Sequence, residues 1–221
     1  MVRRPVWRRR TLDPLRRSAV LAAPVAVPLS MLGLFPLLRR LLGARRGYNL
    51  GFAVYWVGWC LAFPRWVLGR GNLRSLFRQG RRPSPVDLAV LALPPAGAFG
   101  SELVPTAHEA DPVVGLVSLS TAVVNAVGEE VLWRGLYLEA FPNNPWLGAI
   151  YPLLGFTFWH LAPQTILPSR RGRVGFLAGA GIVGACSTWA TWRTRSIRAA
   201  LIPHILTDAC GIRVAKYRLG R

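Results

Sequence analysis

Residues 18–38, "SAVLAAPVAVPLSMLGLFPLL", contain no charged side chain, and arginines bracket them on both sides. A helix needs roughly 20 apolar residues to cross the hydrocarbon core of a bilayer, so this run is long enough to span. Six further apolar runs follow, near residues 47–68, 86–101, 112–140, 146–162, 174–192 and 196–212. Lipid offers no partner to open backbone groups, which restricts a spanning chain to helices or a closed barrel, and no barrel-like alternation is visible. The expected fold is an all-α, polytopic membrane bundle of six to eight helices. The run 86–101 is short and contains Pro94-Pro95, which predicts a kinked or re-entrant segment. Basic residues ahead of the first run imitate a signal peptide, but its length and the apolar runs after it favour an uncleaved anchor.

Charge has to be reconciled with this reading. Charged residues make up only 17% of the chain, below the roughly 25% of soluble proteins. The net charge is nevertheless +19, and Lys216 is the only lysine. A balance this basic raises nucleic acid as a partner. The arginines, however, lie between the apolar runs, as in "RRLLGARR" and "RWVLGRGNLRSLFRQGRR", where they meet anionic lipid headgroups. No nucleic-acid-binding signature accompanies them, so anionic lipid is the expected partner and nucleic acid is not. Arginine excess would put the N-terminal segment and the 65–82 loop inside and the acidic loop "ELVPTAHEAD" outside. The four arginines at 39–46 then fall on the wrong face, unless the first run is re-entrant.

Cys60, Cys186 and Cys210 are odd in number and sit in apolar stretches, which reads as buried small hydrophobes rather than a disulfide framework. "GFLAGAGIVGACS" should pack closely against a neighbouring helix. "FPNNP" predicts a turn. The chain divides into a basic segment 1–17, membrane helices within 18–111, a second membrane unit at 112–212 and a basic tail 213–221.

Ionisable residues inside apolar runs are costly and mark functional positions. "VNAVGEEVLWRGLYLEAF" carries Glu129, Glu130 and Arg134. Glu130 and Arg134 are four apart on one helical face, where an ion pair is natural. Glu129, turned by about 100°, shares a face with Asn125 and Thr121. The bland alternative makes both acids solvated charges at a helix end. "FTFWH" ends in His160, which by itself reads more readily as a packing residue. "HILTD" puts His204 and Asp208 four apart, so the carboxylate can accept a hydrogen bond from the imidazole and orient it. Pro203 can kink the helix there. Taken together, a Glu beside a His can deprotonate water, with or without a metal, and a second His can stabilise an oxyanion. Those are the parts for hydrolysing a peptide bond away from bulk water.

In this order and spacing, "EEVLWR", "FTFWH" and "HILTD" resemble the EExxxR, FxxxH and HxxxN/D motifs of the CAAX protease and bacteriocin-processing family of intramembrane proteases (CPBP, also called Abi). The resemblance covers roughly residues 112–212 and implies a catalytic core there. It implies that Glu129 activates the attacking water with His160, that Glu130 and Arg134 form a structural ion pair, and that His204 and residue 208 line the oxyanion side. Asp208 stands where many members have Asn, and an ionised Asp cannot donate a hydrogen bond. Zinc is one option, with Glu129, His160 and His204 as three ligands and water as the fourth; a metal-free glutamate protease is the other. The expected activity is endoproteolysis of membrane-associated peptide or protein substrates, of CAAX or bacteriocin type, in a bacterial plasma membrane. The rival is a non-enzymatic immunity or scaffold protein, or a proton-coupled carrier using the same Glu and His residues.

Overall fold

Gly43 turns the chain back on itself. Its φ of 79° and ψ of 169° break what would otherwise be one long helix. Glycine takes positive φ without penalty, whereas a side chain would be strained there. The two arms, α1 (14–42) and α2 (44–68), then lie close because α2 offers glycine to α1. A Cβ on Gly47 would sit 2.7 Å from the backbone of Leu38 and Arg39, and one on Gly51 would meet the Phe35 ring at 2.9 Å. Phe35 packs edge-on against Tyr48 and Phe52 across this seam.

The computed structural model describes residues 12–109 and 112–211. Most of the basic segment 1–17 and the whole of the tail 213–221 therefore lie outside the described residues. The rest is an all-α bundle, with no strand among the described residues. After the hairpin and a short helix (Arg70–Leu76) come α3 (Pro85–Thr106), α4 (Pro112–Ala140), α5 (146–159), α6 (Gly172–Thr194) and α7 (Arg198–Cys210). The hairpin, α3, α4 and α6 are long and apolar enough to cross a membrane. Large apolar side chains such as Leu29, Val57, Leu116 and Ile202 point outward. In water such a surface would be a liability; in lipid it is the expected exterior of an integral membrane protein.

Three boundaries differ from the sequence expectation. α3 stays helical through Pro94 and Pro95, has a widened turn at Phe99–Leu103, and reaches a length that could cross a membrane. α5 and α7 are shorter than the apolar runs that contain them. At 1.5 Å per residue the 13 residues of α7 extend about 20 Å, less than a bilayer core; α7 packs one face, with Ala200 and His204, against α3, α4 and α6 and leaves Ile202 and Leu206 exposed. The first run is long enough to cross as well. It is helical throughout, so Arg39, Arg40, Arg45 and Arg46 fall at the same end of the bundle as the acidic end of α3. There Arg171 pairs with Glu102 at 3.2 Å, and Arg39 donates to the Thr165 carbonyl. At the opposite end, Arg193 meets Asp87 at 2.6 Å, and the Arg195 guanidinium donates to the Pro142 carbonyl within the turn "FPNNP". Both ends of the bundle are basic.

The core is aromatic. Tyr55, Trp133, Tyr137, Phe156 and Trp159 are fully buried beside Val20, Met31 and Phe35 of α1. Pro24 supplies no N–H to the carbonyl one turn earlier, at Val20. The Tyr137 hydroxyl donates to that carbonyl at 2.9 Å, and the Tyr151 hydroxyl donates to the next, Leu21, at 2.8 Å. The break in α1 is thus filled from α4 and α5. Small residues allow these approaches. Gly184 in the glycine-rich α6 packs on Leu153 and Phe156, and Gly155 packs on Pro24 and Trp133. A Cβ on Gly155 would lie 2.7 Å from the Pro24 backbone. Gly155→Ala is therefore expected to destabilise the protein by about 1–3 kcal/mol, read as a lowered melting temperature in detergent.

Candidate active site

α4 carries the centre of the site. Its buried positions Ser118, Ala122 and Ala126 recur every fourth residue, a small-residue face against which α7 packs. At Gly128 a Cβ would come within 3.0 Å of the Cys60 Cβ, so glycine lets α2 close in one residue before the acidic pair. Glu129 and Glu130 are both fully buried. The solvated-charge alternative is thereby excluded. Directly after them, residues Val131–Gly135 form a widened, π-type turn, and the Leu136 N–H bonds to the Val131 carbonyl. Such turns concentrate at functional sites. Another runs over Tyr55–Ala62 in α2, opposite.

Glu130 faces Arg134, at 3.3 Å from its Nη1. The guanidinium also lies 4.0 Å over the Phe156 ring and reaches the Gly184 carbonyl at 3.4 Å. Glu130 has a second partner: Nδ1 of His204, at 2.8 Å. Sequence spacing had paired His204 with Asp208, but those groups stand 3.7 Å apart. The residue that orients the His204 ring is Glu130, from another helix. The other ring nitrogen, Nε2, faces Glu129 Oε2 at 3.4 Å.

The two oxygens of Glu129 have different surroundings. Oε1 accepts from the Tyr55 hydroxyl at 3.2 Å and from Trp159 Nε1 at 2.8 Å. Oε2 is buried and accepts no hydrogen bond. Asp208 is held by Asn125, whose amide donates to it at 2.9 Å and whose carbonyl accepts from Trp56 Nε1 at 2.9 Å.

His160 ends α5 and is half-buried, with its ring against Phe156, Trp159 and Phe176. Its Nδ1–H donates to the Phe156 carbonyl at 2.7 Å, since a carbonyl can only accept. In the neutral ring this leaves Nε2 as a base. His160, His204, Asp208 and Asn125 line one cavity of about 1110 Å³. Apolar walls from α4 and α6, including Val117, Ile182 and Val183, lead from these polar groups toward Arg45 and Arg171. Cavities of this kind, apolar with a few convergent polar groups, are where ligands bind.

The structure therefore brings Glu129, Glu130, Arg134, His204 and Asp208 into one contact cluster and sets His160 on the wall of the adjoining cavity. Among the described residues, the donor atoms close enough to share a cation belong to Glu129, His204 and Asp208, all within 4.8 Å of one another. Ligands around tetrahedral zinc, at bond lengths near 2.1 Å, stand roughly 3.4 Å apart. The 3.4 and 3.7 Å separations of His204 Nε2 from Glu129 and Asp208 suit such an ion. The charge count suits it too: three carboxylates face one guanidinium and one imidazole. His160 is not in that donor group; Asp208 takes the place that sequence reasoning gave it.

Tyr55, Trp56, Trp133 and Trp159 were not anticipated. A signal was present: aromatic side chains with a polar tip in apolar runs need partners for their N–H and O–H groups. Trp133 and Trp159 even sit inside the motif strings.

Residues 112–210 match the family model described as type II CAAX prenyl endopeptidase Rce1-like, in agreement with the motif resemblance to the CPBP family. No curated protein and no solved structure matches the chain.

Proposed function

We propose, from the match of residues 112–210 to the Rce1-like family model, that this integral membrane protein is an intramembrane endopeptidase cutting membrane-embedded peptide segments. One observation carries the reading: Glu129 Oε2 has no hydrogen bond and lies against His204, beside the cavity that His160 and Asp208 also line. Water between Glu129 and His160 would lose a proton to Glu129 as it attacks the scissile carbonyl, and His160 Nε2 accepts a hydrogen bond from it. The developing oxyanion finds an amide donor in Asn125 and a positive neighbour in His204. The proton held by Glu129 then passes to the leaving amine. A zinc ion, if held by Glu129, His204 and Asp208, would supply Lewis-acid polarisation of the carbonyl in place of the His204 charge, and with Glu129 Oε2 taken up as a ligand the base would be His160 Nε2.

The apolar walls favour substrates whose segment near the cut is itself apolar or lipid-attached, of CAAX or bacteriocin type. Arginines at both ends of the bundle favour a membrane with anionic headgroups, such as a bacterial plasma membrane.

The test is proteolysis by the purified protein in anionic lipid vesicles, using a library of membrane-proximal peptides. Wild type should cleave, and His160→Ala should lower kcat about a hundredfold while leaving the protein folded. Failure of the wild type to cut any member of the library would overturn the proposal. Metal analysis of the same sample addresses zinc.

A further inference from the structure

The family match begins at residue 112, yet one of the two groups that hold Glu129 comes from α2. Tyr55 is fully buried and stacks on Trp159 with ring centroids 3.7 Å apart and planes 14° from parallel. Its oxygen accepts from Trp133 Nε1 at 2.8 Å, so its own hydrogen is left for Glu129 Oε1, at 3.2 Å. Trp159 supplies the second donor to that same oxygen at 2.8 Å. All three aromatic side chains are at most 1% exposed.

The result is a lopsided carboxylate. The terminal torsion of a glutamate is ordinarily broad, so either oxygen can rotate into use. Here two donors tie down Oε1, and Oε2, which accepts no hydrogen bond, faces His204 Nε2 at 3.4 Å. We propose that Tyr55 is a positioning residue for the reaction: its hydroxyl, fixed by Trp133, anchors Glu129 Oε1 so that Oε2 is the oxygen that works. The inference rests on the reading of Glu129 as the base, and it makes the N-terminal half of the chain part of the active site. Gly128 belongs to the same device, because a side chain there would press α2 and Tyr55 away.

Tyr55→Phe tests it, since phenylalanine keeps the stack on Trp159 and removes only the hydroxyl. In the full-length protein in vesicles, kcat should fall about tenfold, with KM unchanged within about twofold and the melting temperature lowered by only a few degrees, about what the unpaired Trp133 N–H costs. On a Glu129→Gln background the same change should cause no further loss of rate, because the oxygen it serves no longer takes a proton. A second readout needs no proteolysis. The infrared difference between wild type and Glu129→Gln isolates the Glu129 carboxyl bands, and Tyr55→Phe should shift them. A band shift in a wild type that cuts nothing supports the anchor while the proteolytic reading fails. Unshifted bands, or an unchanged kcat in a wild type that cleaves, overturn the inference. So does a rate loss accompanied by an equal rise in KM and a melting temperature lowered by far more than a few degrees, which is the mark of general loosening.

Discussion

Glu129→Gln should give a folded protein that cleaves about a thousandfold more slowly than wild type. Glutamine matches glutamate in shape, and its carbonyl oxygen can still accept from Tyr55 and Trp159. What changes is the group turned toward His204, which becomes an amide unable to take a proton from water. Stability should hold, because the buried cluster has three carboxylates against one arginine and one histidine and loses only a surplus charge. The measurement is kcat on a cleaved peptide together with a melting curve in the same detergent. Retained activity would remove Glu129 from the chemistry. A large drop in melting temperature would instead make it a structural residue.

Arg134→Ala should do the reverse and act on folding first. Arg134 is 2% exposed, and Glu130 opposite it is fully buried. Removing the guanidinium leaves Glu130 with His204 as its one remaining cationic partner and opens a hole over Phe156. Breaking a buried pair from one side costs roughly 3–5 kcal/mol, a large part of any domain's stability. The expected result is a steep loss of monodisperse protein in detergent, with any surviving fraction inactive. Replacing both partners, as Glu130→Leu with Arg134→Leu, should cost less than the single change, since no carboxylate is then stranded and the remaining penalty is the acceptor lost by His204 Nδ1–H. Thermal melting of the three variants decides it. Equal stability of wild type and Arg134→Ala would show the pair to be idle.

Much of this was legible beforehand because it depends on periodicity. Apolar runs at 47–68, 112–140 and 174–192 became α2, α4 and α6 with ends shifted by a few residues, since lipid-crossing length is a property of the run itself. The ion pair of Glu130 and Arg134 also follows from spacing along a single helix. What spacing could not supply was partnership between helices. His204 bonds to Glu130, 74 residues away, in preference to Asp208 one turn along, because a fully buried carboxylate needs a second partner more than a half-buried one held by Asn125 does. Tyr55 lay unnoticed for the same reason: its donor finds its acceptor 74 positions on. The break between the runs 18–38 and 47–68 was legible from the arginines at 39–46, but the tightness of the turn at Gly43 was not, since hydropathy does not register φ.

The widened turn at Val131–Gly135 lodges a surplus residue in α4, so the two lengths of that helix are out of phase with each other. Upstream, its small-residue face and Glu129 look toward α2 and α7. Downstream, Tyr137 looks toward α1, where it caps the Val20 carbonyl. Regular winding would swing everything beyond residue 135 by about 100° and could serve only one of these two neighbourhoods. The irregularity is what lets a single rod of backbone act as both reaction platform and keystone.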